Sequence, residues 1–361
     1  MKMKTTLKTS VILGLATIAV IGCSKKDDAP TPAGSTPEGT VSYAPHLTNI
    51  GNNVITETYV DLSGNAATLF NEAGNLKTNQ TTVNLDNAKN AWRDTRVPWE
   101  KSEGFLFGPV DSKGIDPAID SWPVNVVDLN AVLASSGTLT ENYIDGLIGE
   151  LKGFHTIEYL LWGATGNKQI GDFTAREFDY LLAVTENLKK KTAVLSDSWL
   201  PSGENFVANL SKAGTSGSIY PSEKAALEEL VEGMIAIADE VGNGKINDPF
   251  SQNDLSLEES QFSHNSKNDF ANNIKSISNV YNGKFNISGL GIYDVIKAKD
   301  VALANRLNTE LNAAITAIQN IPGTFSSAVT SQSSTVTVAK EKVAIVQATL
   351  EGNIKSMINN L

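Results

Sequence analysis

The chain has 361 residues with 40 acidic and 29 basic side chains, three histidines and one cysteine, for a formal charge of -11. That acidic balance excludes nucleic acid as a natural partner and offers no polybasic run for a membrane surface, and a lone cysteine excludes an intrachain disulfide.

Lys2, Lys4 and Lys8 precede an apolar run from Val11 to Ile21, short for a bilayer span, which Ile21-Gly22-Cys23 closes with small residues. Residues 1–22 read as a secretory leader whose removal leaves Cys23 at the amino terminus. The pattern resembles the lipobox of bacterial lipoproteins, where that cysteine is lipidated. The expected location is the cell envelope, with Cys23 anchored in the outer membrane on its periplasmic or surface side. Residues 23–45 are rich in Pro, Thr, Gly, Ser and charge and read as a disordered tether. About three hundred residues follow, enough for two packed bundles or one large domain.

Helical periodicity dominates this body. His46 to Leu76 is a polar, Asn-rich helix candidate, with Ile50, Val54 and Leu69 too sparse to fix its register. Leu85 to Phe107 is clearer, because Leu85, Ala88, Trp92 and Trp99 fall on one stripe. Pro98 lies inside it and predicts a kink or bulge between Asp94 and Pro98. Arg93, Arg96, Glu100 and Glu103 form a polar stripe beside the tryptophans; by charge pattern alone this is a solvated face laced with ion pairs. Two tryptophans in one helix argue instead for a core or a cleft.

Gly104 to Pro123 reads as a long ordered loop, in which Asp111, Asp116 and Asp120 offer oxygens to a cation or, more commonly, make turns and caps. Glu141 to Trp162 reads as a central helix. Thr174-Ala175-Arg176-Glu177 is a capping box, followed by Phe178, Leu181, Leu188, Leu195 and Trp199 at heptad-like positions with Thr185 and Thr192 between them. A helix from Ser222 is expected to stop near Gly242-Asn243-Gly244, and a second capping box, Ser256-Leu257-Glu258-Glu259, to start a helix through Tyr281. That segment carries Ser260, Ser263, His264, Asn265 and Ser266, short polar side chains that favour helices poorly. Amphipathic helices are expected again over Leu303–Ile318 and Val343–Leu361, and strands nowhere.

The central helix holds Gly153-Phe154-His155-Thr156-Ile157-Glu158, which sets an imidazole and a carboxylate on one helical face among Leu151, Phe154, Leu161 and Trp162. Burying such a pair is unfavourable unless something satisfies it. One reading is a hydrogen-bonded core pair; the other makes both residues ligands or acid/base groups. A zinc peptidase of the His-Glu-x-x-His type would need a second histidine where Glu158 stands, and no nucleophile elbow or phosphate loop is present. His155 and Glu158 with further carboxylates, Glu100 and Glu103 first, would suit iron or another hard or borderline divalent cation. Arg93 and Arg96 would suit an anionic or chelated ligand.

Three blocks in this order resemble the imelysin-like family: Gly153-x-His155-x-x-Glu158, the Trp92 to Val110 segment, and Ser260 to Tyr281 with its Ser-x-Phe-Ser-His start. The similarity runs from about residue 47 to 361. It implies an all-α fold of two helical-bundle domains side by side, over 46–200 and 201–361, with a site near their junction and a role in iron uptake, the ligand being a metal ion or an iron-containing molecule. It carries over His155 and Glu158, with Arg96, Glu100, Glu103, Ser263 and His264 as neighbours, and Arg93 and Trp99 beside them. A metal-dependent peptidase and a non-catalytic interaction protein are the alternatives.

Overall fold

The computed structural model describes residues 41–361; the leader, Cys23 and most of the tether lie outside them. Ser42–Leu361 form one compact unit, all-α among the described residues apart from an isolated bridge between Lys284 and Ser288.

The chain enters through α1 (Ala44–Asn49) and continues by a π-helical stretch, Ile50–Thr56, into α2 (Glu57–Thr78) and then α3 (Thr82–Glu100). Short helices follow: α4 (Pro109–Ser112), α5 (Asp116–Ile119), α6 (Val126–Ala134) and α7 (Glu141–Asp145). α8 (Gly153–Trp162) and α9 (Ala175–Trp199) complete the first half. The second half holds α10 (Ala208–Ser211), α11 (Glu223–Asp239), α12 (Asn247–Gln252), α13 (Ser266–Asn282), α14 (Ile292–Lys297), α15 (Val301–Gln319), α16 (Phe325–Thr330), α17 (Ser334–Thr349) and α18 (Lys355–Asn359).

α2 packs along α3 and α9, with α8 set against both α3 and α9; α13, α15 and α17 form a second layer, and α11 packs on α13, α17 and α18. α3 also touches α13, and the turn Glu103–Phe105 touches α11, so the two layers meet where α3 ends. The sparse stripe of α2 is completed by alanines. Tyr59, Leu62, Ala66, Leu69, Ala73 and Leu76 are all buried at alternating three- and four-residue spacing, and the small residues let neighbouring helices approach. The capping box at Thr174 forms as expected. Thr185 and Thr192 sit buried in the α9 stripe because their hydroxyls donate back to the carbonyls of Leu181 and Leu188, at 2.7 and 2.9 Å.

Several expectations are corrected. The central helix is broken into α7, a turn at Gly149–Leu151 and α8, because Gly153 takes φ +74° and starts a new helix there. The helix from Ser222 does not stop at Gly242-Asn243-Gly244: it passes through a π-helical stretch, Glu240–Ile246, into α12. Gly242 serves close packing, since a Cβ there would lie 3.3 Å from Val343. The Ser256–Glu259 capping box does not start a helix. Ser256 lies in a short 3₁₀ turn after Asp254, and α13 begins only at Ser266, because Glu258 and Glu259 turn inward to other partners. The loop over 104–123 contains α4 and α5, and the last helical run starts at Ser334, taking in Val336 and Val338. α3 runs through Pro98 to Glu100. Proline leaves the Asp94 carbonyl without its helical donor, and the Asn65 amide reaches that oxygen at 3.3 Å.

Candidate functional site

The site is assembled around Gly153. A Cβ at this position would lie 2.7 Å from the Cα of Ile119, so only glycine lets the start of α8 press against the end of α5. That contact sets Asp120, the residue after Ile119, against His155: Asp120 Oδ1 is 3.1 Å from His155 Nε2. The other ring nitrogen, Nδ1, lies 3.5 Å from Glu158 Oε2. Glu158 in turn accepts the backbone N–H groups of Phe262 and Ser263 at 3.1 and 2.7 Å, tying α8 to the irregular segment before α13. The three motif residues therefore have separate tasks: close approach, a doubly bonded imidazole, and a carboxylate that docks the second half of the chain.

Arg96 and Lys245 extend this into a buried ionic cluster. Arg96 pairs with Asp120 and Glu100, lies 2.9 Å from Glu259 and 3.6 Å from Asp269, and its guanidinium sits over the Phe154 ring. Trp99 Nε1 donates to Asp120 Oδ2 at 2.6 Å. Lys245 Nζ, supplied by the π-helical stretch after α11, reaches Glu103 at 2.9 Å and Glu259 at 3.0 Å, with Glu100 at 3.7 Å. Asn273 of α13 donates to Glu100 Oε2 at 2.5 Å. The stripe of α3 is thus not a solvated face: Arg96 and Glu100 are fully buried and Glu103 nearly so.

The cluster holds more acid than base. Glu100, Glu103, Asp120, Glu158, Glu259 and Asp269 are buried against Arg96, Lys245 and His155. Burial alone would pull the His155 imidazole down, but its bonds to Asp120 and Glu158 outweigh this and leave it raised to about 9. Burial would raise Asp120, yet Arg96 and His155 hold it well below the usual carboxylate range. Burial prevails at three more: Glu100 and Glu103 are raised well above the ordinary range despite Arg96 and Lys245, and Asp269 rises to about 6. Without a further cation, burial favours the protonated form of Glu100 and Glu103.

Two sets of donors have atoms within 4.8 Å of one another: Asp120, His155 and Glu259, and Glu100, Glu103, Asp120 and Glu259. Glu259 Oε2 is buried without any partner, whereas Glu100 Oε1 and His155 Nε2 are held only by their ionic contacts with Arg96 and Asp120. Oxygen-rich donors with one imidazole fit a hard or borderline cation, and the free Glu259 oxygen is an atom such an ion would engage. The cluster reaches solvent through a cleft of about 240 Å³ lined by Glu103, Asp116, Asp120, Trp122 and Glu240 among others. Asp116 is raised to about 6, by burial first and Asp120 second. A larger groove of about 440 Å³ lies on α15 and α17 and includes no member of the cluster.

Of the residues expected from the sequence, His155, Glu158, Arg96, Trp99, Glu100 and Glu103 come together here. Ser263 joins through its backbone, and its buried hydroxyl has no partner. Arg93 lies apart, half-buried over the Trp162 ring at 4.9 Å. His264 is exposed with φ +58°, its Nδ1 3.3 Å from the Ser326 hydroxyl. Lys245, Glu259, Asp269 and Asn273 were not anticipated. Lys245 stands in a glycine-rich stretch that reads as a helix end, and Glu259 in one that reads as a cap; the surviving signal was the polar crowding around Ser260 to Asp269.

Residues 55–350 match the family model of Imelysin. Iron-regulated protein A of Synechococcus elongatus is 29% identical over 311 residues, covering 84% of each chain. A crystal structure described as an iron-regulated protein A precursor from Parabacteroides distasonis superposes with a TM-score of 0.80 at 28% identity, over 91% of this chain and 98% of that one. An imelysin-like protein from Psychrobacter arcticum shares the fold, with a TM-score of 0.70 at 14% identity over 87% of this chain and 94% of its own. With the family model spanning most of its length and the three blocks in place, the chain belongs to the imelysin family.

Proposed function

We propose that this protein binds a metal ion, or a ligand carrying one, at the His155–Asp120–Glu259 end of the buried cluster, and serves iron uptake at the cell envelope. The observation that carries the reading is the surplus of buried carboxylates beside His155, with Glu259 Oε2 left without a partner, opening onto an acidic cleft. Two relatives are named for iron regulation, which supports the link to iron. Asp120, His155 and Glu259 would hold the ion, with Glu100 and Glu103 completing its shell. A bound cation would supply the positive charge that protons otherwise provide. Glu158 would fix the imidazole, Trp99 would fix Asp120, and the acidic cleft would favour cation entry over anion entry. Cys23, as a lipidated residue, would hold the body at the outer membrane.

A peptidase would need a carboxylate free to act as base. Glu158 is taken up by two backbone N–H groups and His155, which favours binding over hydrolysis. Metal analysis of protein purified without chelators, with calorimetric titrations of iron, zinc and calcium, tests the proposal. Saturable binding that disappears in His155→Ala is expected, and identical heats for the two proteins would remove it. Chelator-sensitive cleavage of casein, lost in Glu158→Gln, would establish the peptidase instead.

A further inference from the structure

The C-terminal end of α13 carries a second polar pocket, of about 150 Å³, lined by Lys275, Ser278, Asn279, Asn282, Lys284 and Phe285. It contrasts with the rest of this acidic chain. Lys101, at the end of α3, places its ammonium 5.9 Å from the centroid of the same Phe285 ring and close enough to Lys275 to feel its charge. None of Lys101, Lys275 and Lys284 makes an ion pair within 4.0 Å among the described residues, although Asp61 lies within electrostatic reach of Lys101. Three like charges gathered without a paired acid repel one another, so something other than internal pairing accounts for the grouping.

Lysines near a helix C-terminus often serve its free carbonyls. Here those carbonyls have other donors. Gly283 adopts φ +60° and its N–H bonds back into the helix, while the Lys284 N–H donates to the Asn279 carbonyl at 2.9 Å. The lysine side chains are left free. Asn282 is also occupied, exchanging hydrogen bonds with Asn308 at 2.9 and 3.0 Å. Asn279 differs: its residue is only 4% exposed, it lines the pocket, and its side-chain amide makes no hydrogen bond among the described residues. An unpartnered amide on a nearly buried residue, open to a pocket that two unpaired lysines and an aromatic ring also line, is a ligand's environment.

We propose that this pocket binds an oxyanion of the phosphate class, with Lys275 and Lys284 supplying charge, the Asn279 amide a directed hydrogen bond, and Lys101 the surrounding field. A phosphate group is small enough for the space, and its oxygens are acceptors that ammonium and amide groups serve. The ligand is a free phosphate compound or the phosphate of an anionic lipid headgroup. Exposed Ile287 and Leu290 on the following turn, at 65% and 42% exposure, lie beside the site. The Asn49 amide ties that turn to the chain's entry, bonding the carbonyls of Gly283 and Leu290 at 2.8 and 2.9 Å.

The test is calorimetric titration of the purified chain with inorganic phosphate, in chelator so that no metal carries the anion. A second arm uses co-sedimentation with phosphatidylcholine vesicles made with and without phosphatidylglycerol. Binding in at least one arm is expected, weakened about tenfold or more by Lys275→Gln with Lys284→Gln and several-fold by Asn279→Ala. Lys224→Gln, on the exposed face of α11, should match wild type. Binding of phosphate alone identifies a soluble oxyanion, and lysine-dependent binding to phosphatidylglycerol identifies a headgroup. Absence of binding in both arms, or binding undiminished in the double-lysine variant, overturns the proposal. Both lysines are exposed, so the variants are expected to fold.

Discussion

Arg96 is the residue on which the buried charges converge, and its removal separates a structural from an incidental role. Replaced by methionine, it would leave the buried Asp120, Glu100, Glu259 and Asp269 without their shared cation. Breaking a buried pair in this way typically lowers stability by about 3–5 kcal/mol. Urea denaturation of Arg96→Met should show a loss of that order, and an unchanged midpoint would contradict the cluster. His155 makes a second prediction. Its folded value is raised from 6.5 to about 9, so its contribution is complete below 6.5 and is lost as pH rises through about 9. Asp269, raised from 3.8 to about 6, acts in the same direction at lower pH, its contribution falling as pH rises towards 6. Asp120, held low, contributes above 3.8 and loses that contribution only in strong acid. Stability in chelator should therefore fall between about pH 6.5 and 9, and His155→Gln should flatten that fall; parallel curves would contradict the assignment. At this scale the need to satisfy His155 and Glu158 was legible, because the pair is set among Phe154, Leu161 and Trp162; Arg96, Glu100 and Glu103 were placed beside them by the family resemblance, while their charge pattern alone read as a solvated face. Lys245 and Glu259 were not legible, because each is made functional by partners far away in the chain, and nothing local distinguishes a buried lysine from a solvated one.

Among the elements, the short approach of α8 to α5 controls the geometry of the site. Gly153→Ala forces a positive φ on a residue with a side chain and drives its Cβ into the main chain of Ile119. The strain of the left-handed conformation alone is about 1–2 kcal/mol. Thermal unfolding should show at least that loss, together with weaker metal binding, because Asp120 follows Ile119. Gly64 is the contrasting case. It lies inside α2, and a methyl group added there would meet nothing within 4 Å, so Gly64→Ala should stabilise by about 0.5–1 kcal/mol. The reverse order of effects would contradict this reading of the two glycines. Long amphipathic helices such as α9, α13 and α15 were legible from their apolar period, and the capping box at Thr174 fixed one start. The box at Ser256 misled because its glutamates had stronger claims elsewhere: Glu258 accepts from the hydroxyls of Ser266 and Ser326, both at 2.7 Å, and Glu259 pairs with Arg96 and Lys245. The π-helical continuation after α11 was hidden for a related reason. A glycine selected for contact with α17 looks, in sequence, like one selected to end a helix.

On the scale of the whole molecule, the cluster draws on helices from both halves of the chain: α3 and α8 from the first, α13 and the stretch after α11 from the second. The all-α class followed from periodicity alone, whereas the meeting of these helices at one point depends on tertiary packing that periodicity does not encode. The electrostatic consequence belongs to this scale too. Burial favours protonation of Glu100 and Glu103 in the absence of a cation, so a metal ion entering through the acidic cleft would compete with protons, and its affinity should rise with pH. Calorimetric titration of chelator-stripped protein with iron(II), repeated in two buffers of different ionisation enthalpy, counts metal and protons together. Saturable binding with net proton release is expected, both lost in His155→Ala and in Asp120→Asn; no binding, or binding with the same proton count in these variants, would rule out the metal site.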